Sequence, residues 1–385
     1  MWKFSRSHQG SLHECPRLAW LRYFDRGRGW ESTKLNVEQS MGSLAHSMLA
    51  TILQWVRAFD SKMVPGEEQI SRAVEEAVKE YKLQAAKRGL DIEQEGDQLF
   101  ELTRQSALAE GLVRAWVKVK LPDLLDRFKV LSIEEEWDVP LSPTITIMMR
   151  LDALLEQRDT LDLWPLEFKT SGMISDSWLE SWRYDSQTLQ QVWATETHLP
   201  RPCAGVQLEV LYKGAKRSDG MGKMHYYSPL IRGYQRKGIP PFDEDELSWD
   251  SGMGKRKGWS PVDVWQWGKV KEWVELLPVE VLQAQLFSRE IFRSGREQET
   301  WVGQTLLEQK MVMEGVECVL NPETTPHYRE QAMDIYFPAR LSRECYSNKY
   351  RRKCMFLDVC YNGIDPSEDP RFTPRTPHHV QESEE

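Results

Sequence analysis

The spacing of apolar residues changes from a helical to a strand-like period near residue 128. Before that point apolar residues recur every three or four positions, as on one face of a helix. Four helices are predicted in this part of the chain: Cys15 to Arg26, residues 41–58, residues 67–88 and residues 96–119. The first third of the chain is therefore predicted to be helical.

After residue 128 the pattern favours strands, which are rich in β-branched and apolar residues. Strands are predicted at residues 130–139, 144–156, 161–170, 206–212 and 225–230, with a helix at about 184–198 and further helix at 261–311, broken at Pro278. Pro165 suggests a bulge or an edge position in the third strand. A strand hairpin followed by a helix and another strand predicts an α/β core.

These patterns divide the chain into five segments. They are a helical region at 1–127, an α/β core at 128–232, a mainly helical region without an assigned role at 233–340, a cysteine segment at 341–364 and a tail at 365–385. The tail is Pro-rich and then acidic, and this composition predicts disorder. A helical N-terminal region and a C-terminal cysteine cluster thus flank the core.

Charge and hydropathy narrow the class of protein. The formal net charge is −9, which argues against a protein that coats nucleic acid indiscriminately. An enzyme that collects carboxylates around a metal is compatible with that charge. The chain has no apolar run long enough to span a membrane, and its first residues do not resemble a secretory signal. We therefore expect a soluble, cytoplasmic protein without a membrane partner.

Two carboxylates and one amine form the central chemical signal. Glu167 and Lys169 alternate along one predicted strand and so share a face, while Asp152 lies on the preceding strand of the same hairpin. Two carboxylates can hold a divalent ion such as Mg²⁺, and a lysine can orient water and offset charge on phosphate. The alternative is a solvent-exposed ion pair on an edge strand. The apolar flanks of the strand favour phosphodiester hydrolysis over that alternative.

Two further polar positions accompany this signal. His46 lies off the apolar stripe of its helix, on the side of Gly42, where a small residue leaves room for close approach. We interpret it as a metal ligand alongside Asp152 and Glu167. Gln187 opens the helix after the hairpin and shares a face with Gln191; from the spacing alone, both could equally be surface residues.

Four cysteines predict a metal cluster that joins the ends of the chain. Cys345, Cys354 and Cys360 stand close together, and Cys15 is the candidate for a fourth ligand. Four thiolates suit either a [4Fe–4S] cluster or structural zinc, and the spacing does not separate the two. The remaining two cysteines, Cys203 and Cys318, are interpreted as buried and inert.

Cationic residues near these cysteines suggest a path for DNA. Arg17 and Arg22 lie with aromatic residues on the helix that carries Cys15, and Arg351 and Arg352 lie in the C-terminal cysteine segment. Cations bind phosphates and aromatic rings stack on bases, so this mixture is typical of single-strand binding. A helix with solvated arginines and inward-facing rings is the alternative.

The order of these motifs resembles the RecB-like PD-(D/E)XK nucleases, in particular their iron–sulfur branch, which includes the AddB nuclease domain and CRISPR-associated exonucleases. In that branch an N-terminal cysteine, a His, an Asp, a Glu-x-Lys, a Gln-x-x-x-Tyr helix and three cysteines follow one another. The chain shows the same order from about residue 5 to residue 362. The chain departs from the family pattern at Gln191, where the family has Tyr, and in the longer spacing that follows Cys345.

The resemblance implies a restriction-endonuclease-like mixed sheet flanked by helices. It also implies Mg²⁺- or Mn²⁺-dependent cleavage of DNA that is single-stranded or is cut from an end, with Gln187 in the catalytic set and a [4Fe–4S] cluster rather than zinc. Recombination, repair and phage or CRISPR DNA processing are the expected settings. No P-loop motif occurs, so any helicase would be a separate partner. The alternatives are a catalytically silent DNA-binding or scaffold protein and a zinc-stapled interaction module.

Overall fold

The structure is a computed structural model that describes residues 1–33, 37–59, 62–87, 97–218, 224–236, 259–340, 345 and 353–376. The strands are β1 Trp2–Ser5, β2 Trp30–Ser32, β3 Phe128–Ile133, β4 Glu136–Pro140, β5 Ile145–Arg150, β6 Ala153–Gln157, β7 Leu163–Ser171, β8 Val206–Tyr212, β9 Ala215–Ser218, β10 Met224–Tyr227, β11 Arg232–Arg236, β12 Trp259–Asp263, β13 Leu286–Ile291 and β14 Phe372–Pro374. The α-helices are α1 Arg6–Glu14, α2 Pro16–Ala19, α3 Val37–Ala58, α4 Glu67–Lys87, α5 Asp97–Val119, α6 Leu121–Arg127, α7 Asp176–Ser181, α8 Ser186–His198, α9 Val270–Leu276, α10 Val279–Gln283, α11 Gly295–Leu320, α12 Pro326–Tyr336 and α13 Leu357–Asn362.

A mixed five-stranded sheet organises the fold, in the order β13-β8-β7-β6-β3. β7 and β8 are parallel, because α8 forms the crossover between them, and the other neighbours are antiparallel. Apolar residues on one face of the sheet pack against α3 and α5, which α4 contacts in turn, and those on the other face pack against α8. The expected α/β fold, with a mixed central sheet flanked by helices, is confirmed.

The predicted strands over 130–139 and 144–156 are each split in two. β3 and β6 belong to the five-stranded sheet, whereas β4 and β5 pair in a separate three-stranded sheet with β1. The chain therefore forms one long hairpin that bends where it passes from one sheet to the other. Alternation alone could not reveal this bend, because the residues on both sides of it are apolar.

Several other predictions need correction. β7 is the central strand of its sheet rather than an edge, and Pro165 fits there because pairing with β8 begins only at Leu166. The predicted strand at 225–230 becomes β10, which pairs with β9 outside the main sheet.

The predicted helix from Cys15 to Arg26 is an α-helical turn continued by a π-helical and a 3-10 turn. The spacing of apolar residues predicted helix over 261–311, whereas β13 within this range pairs with β8 and forms one edge of the main sheet.

The two ends of the described chain meet beside the helical region. The sequence predicted a disordered tail from residue 365, but β14 pairs with β2. Phe372 is buried and stacks on Phe356, with ring centroids 5.1 Å apart. One apolar anchor therefore orders a segment whose composition is otherwise typical of disorder, and this corrects the prediction as far as residue 376.

Among the helices within the described ranges, none has the length and apolar character needed to cross a membrane.

Candidate active site

The bend in the long hairpin brings two acidic residues together. Asp152 lies between β5 and β6, and Glu134 lies between β3 and β4. The Glu134 N–H donates to the Asp152 carbonyl at 3.2 Å, so the two bends are hydrogen-bonded to each other. Glu134 has φ +50°, a left-handed conformation that costs free energy in a residue with a Cβ. Such strain persists only where the surrounding structure fixes it, and here it sets the position of a carboxylate.

Glu167 and Lys169 lie on the face of β7 that points towards α8. The Lys169 ammonium donates to Glu167 Oε1, as the alternation along the strand predicted. Glu167 is 3% exposed, so the alternative of a solvent-exposed pair on an edge strand is wrong. Burial by itself lowers the pKa of Lys169, but the charges of Glu167 and Asp152 outweigh it and raise that pKa. Lys169 therefore stays charged next to the carboxylates.

Two glutamines of α8 donate hydrogen bonds to the carboxylate oxygens of Glu167. Gln187 Nε2 donates to Oε1 at 2.7 Å, and Gln191 Nε2 donates to Oε2 at 2.6 Å. Gln191 is buried, so it is not a surface residue. It stands where the RecB-like pattern has Tyr, and its amide supplies a hydrogen-bond donor at this position. Asp185 begins the helix by accepting from the Gln187 N–H at 2.8 Å.

His46 joins the site from α3. Its Nδ1 lies 3.2 Å from Asp152 Oδ1, and Asp152 Oδ2 accepts from the Phe168 N–H at 2.8 Å. A Cβ on Gly42 would lie 3.3 Å from Thr170 Oγ1, so the missing side chain allows α3 to approach the end of β7. This agrees with the close approach expected from the sequence.

The carboxylates and the imidazole perturb one another. Burial raises the pKa of Asp152, but the neighbouring charges of His46 and Lys169 outweigh it and lower that pKa. Burial lowers the pKa of His46, but the charge and hydrogen bond of Asp152 raise it above its ordinary value. Burial and the charge of Asp152 together raise the pKa of Glu134. A bound cation would relieve the repulsion between Glu134 and Asp152.

These residues form a donor set suited to a divalent metal. Ligand atoms of His46, Glu134 and Asp152 lie within 4.8 Å of one another, the one such group among the described residues. One imidazole nitrogen and two carboxylates can bind Mg²⁺ or Mn²⁺. Glu167, predicted as a ligand, lies outside this group, and its ligation of the metal stays a prediction. Sequence analysis missed Glu134, because three consecutive glutamates, 134–136, gave no sign of which one turned inward.

The match to known families agrees with this geometry. A family model described as the PD-(D/E)XK nuclease superfamily matches residues 3–360. The chain belongs to that superfamily. A comparison with curated proteins gave no match. The assignment of the superfamily's Asp, Glu and Lys to Asp152, Glu167 and Lys169 stays a prediction.

The four cysteines of the predicted cluster are neighbours in this nuclease. Burial, together with the nearby Cys354, Cys15 and Cys345, raises the pKa of the Cys360 thiol to about 11. The Cys354 N–H donates to the Cys345 carbonyl at 2.7 Å. The fold thus brings together residues from both ends of the chain.

The two remaining cysteines differ in burial. Cys203 is buried, as expected, and burial raises its pKa to about 12. Cys318 is only half-buried, which corrects the expectation of a fully buried thiol.

The arginines predicted to contact DNA have different surroundings. Arg17 donates to the Phe337 carbonyl at 2.7 Å and to Asp334 at 3.0 Å, so its guanidinium links α2 to the end of α12. Arg22 lies 3.5 Å from Ser11 Oγ. Arg351 and Arg352 lie outside the described residues. The contact of these arginines with DNA stays a prediction.

Proposed function

We propose that this protein is a Mg²⁺- or Mn²⁺-dependent deoxyribonuclease that acts on single-stranded DNA or on DNA with free ends. The observation that carries the proposal is the convergence of Asp152, Glu167 and Lys169 with His46 at one end of the sheet, in a chain of the PD-(D/E)XK superfamily. The roles of these residues in phosphodiester hydrolysis follow from their contacts.

Asp152, Glu134 and His46 would hold the metal, and the Phe168 N–H orients the Asp152 carboxylate for this role. When bound, the cation supplies a Lewis acid for the phosphate and lowers the pKa of a coordinated water. We include Glu167 as a further ligand, as the sequence predicts, because its carboxylate is adjacent to the ammonium of Lys169.

Lys169 orients the attacking water and offsets the negative charge that develops on the phosphate. Its ammonium is held between Glu167 and the ring of Trp182, whose centroid lies 5.4 Å from Nζ. Gln187 and Gln191 keep the Glu167 carboxylate in one orientation, so the lysine is fixed before substrate binds. Such preorganisation lowers the cost of reaching the transition state.

We also propose a [4Fe–4S] cluster on Cys15, Cys345, Cys354 and Cys360. The support for a cluster is that Cys15, Cys345 and Cys354 lie near enough to Cys360 for each to raise the pKa of its thiol. Four thiolates suit a [4Fe–4S] cluster, and structural zinc is the alternative occupant. The phosphates of the substrate are proposed to bind four arginines, Arg17, Arg22, Arg351 and Arg352. The proposed settings are recombination, repair, and phage or CRISPR DNA processing, with any helicase as a separate partner.

Digestion of end-labelled linear and circular DNA with Mg²⁺ or Mn²⁺ tests the nuclease proposal. We expect the wild-type protein to cleave and Glu167→Ala and Lys169→Ala to be inactive while still binding DNA. Glu76→Ala, an exposed carboxylate that pairs with Arg72 on α4, is the control and should cleave like the wild type. Cleavage at the wild-type rate by Glu167→Ala would contradict the proposal. Degradation of linear DNA without cleavage of circular DNA would identify an exonuclease.

A further inference from the structure

A cleft of about 410 Å³ opens beside the site, on the opposite side of α8 from Glu167. Residues of three elements and of the turn before α8 line it, among them Gln9 of α1, Tyr184 and Ser186 at the start of α8, and Trp301 and Thr305 of α11. Its volume falls in the range of small-ligand sites. None of these residues takes part in holding the metal or Lys169.

The wall of the cleft is rigid and reaches the catalytic residues. Trp182, whose ring lies against Lys169, and Tyr184, which lines the cleft, belong to the same 3-10 turn. Arg293 donates to the carbonyls of Trp182 and Arg183 and so fixes this turn. Ser186 lines the cleft, and the next residue, Gln187, holds Glu167. The cleft therefore lies across α8 from Glu167, and shares with the active site the turn and the first helical residues that position Lys169 and Glu167.

The cleft offers an aromatic ring and polar side chains to a ligand. Tyr184 is 78% exposed, so its ring is free to stack on a planar group. Ser186 and Gln304 also line the cleft, and their hydroxyl and amide groups can both donate and accept hydrogen bonds. Gln9, another lining residue, is held in place by donating from Nε2 to Thr305 at 3.1 Å.

The charges around the cleft disfavour an isolated phosphate as the ligand. Arg296 is one cation of the lining, but Glu297 and Glu308 also line it, and Glu308 lies 2.9 Å from His13. A planar neutral group with donors and acceptors along its edge fits this lining better than an anion. We infer that the cleft binds an unpaired nucleobase of the substrate strand, stacked on Tyr184. This inference rests on the proposed nuclease function and explains a preference for single strands, since a paired base cannot enter.

The test measures the affinity of a labelled single strand in Ca²⁺, with one abasic site placed at successive positions. We expect one position at which loss of the base weakens wild-type binding about 5- to 150-fold, the range for one stacked base. Tyr184→Ala should show the same loss with intact DNA and no further loss from the abasic site. Tyr184→Phe keeps the ring and should resemble the wild type. Tyr328→Ala, which removes a 60% exposed tyrosine on α12, is the control.

Abasic penalties that are equal in Tyr184→Ala and in the wild type would overturn the inference, as would full affinity of Tyr184→Ala. If the wild type still cleaves DNA in that case, the nuclease proposal stands and only the cleft assignment fails. If the wild type neither binds nor cleaves DNA, the proposed function itself fails, and the inference fails with it.

Discussion

Arg293 is the residue whose replacement tests most directly how the active site is supported. It follows β13, and its side chain is 2% exposed. Its guanidinium donates to the carbonyls of Trp182, Arg183 and Asp185 and to Thr188 Oγ1. These groups lie in the turn and first helical residues that place Gln187 against Glu167. Arg293→Met keeps much of the apolar volume and removes every donor.

The size of the effect follows from these contacts. A polar group left without a partner costs about 1–3 kcal/mol when it is fully buried. Trp182 and Asp185 are half-exposed and Arg183 is exposed, so water can replace part of what is lost. We therefore expect about 2–3 kcal/mol of lost stability and a melting temperature lower by roughly 2–4 °C. A displaced Gln187 would also lower kcat by about 10- to 100-fold.

The assay combines thermal melting with kcat and KM on a single-stranded substrate, measured well below the melting transition. Arg289→Met is the matched control, because Arg289 lies on β13 four residues earlier and pairs with Glu180 while 45% exposed. Arg293→Lys should recover part of kcat. Lower melting with unchanged kcat in Arg293→Met would refute a positioning role, because it would show that Arg293 only stabilises the fold.

Three further predictions concern pH and metals. Burial raises the pKa of Glu209 in the fold, so its contribution to stability is present below the unfolded pKa of about 4.3 and is lost as pH rises through the folded value. In urea titrations Glu209→Gln should therefore be more stable than the wild type at pH 8 and similar to it at pH 4. Gln207 can turn its unpartnered Oε1 towards the new amide, so the replacement keeps a hydrogen bond at this position. Equal stability of the two proteins at pH 8 would contradict this prediction. His46→Ala should weaken Mn²⁺ binding in calorimetry with little change in melting, whereas coinciding titrations would make His46 structural. Cys354→Ser should lose iron and melt earlier, and unchanged iron would show that Cys354 is not a ligand.

The sequence by itself determined the chemistry of the site and the class of fold. Alternation along β7 placed Glu167 and Lys169 on one face, because neighbouring residues of a strand point to opposite sides. The position of His46 off the apolar stripe of its helix, with Gly42 nearby, indicated a close approach to the sheet. These signals are local: each depends on a few residues of one element and on its period.

The tertiary structure decided which distant residues share the site. The bend of the long hairpin placed Glu134 beside Asp152, and the left-handed φ of Glu134 has no sequence signature outside glycine and asparagine-like residues. Gln191 became a buried donor only because α8 packs on the face that carries Glu167. Arg293 reaches the site from a segment predicted to be helical, since β13 joins the sheet by pairing that depends on β8 rather than on its own pattern. Contacts between elements far apart in the chain leave no period in the sequence, so only the folded chain reveals them.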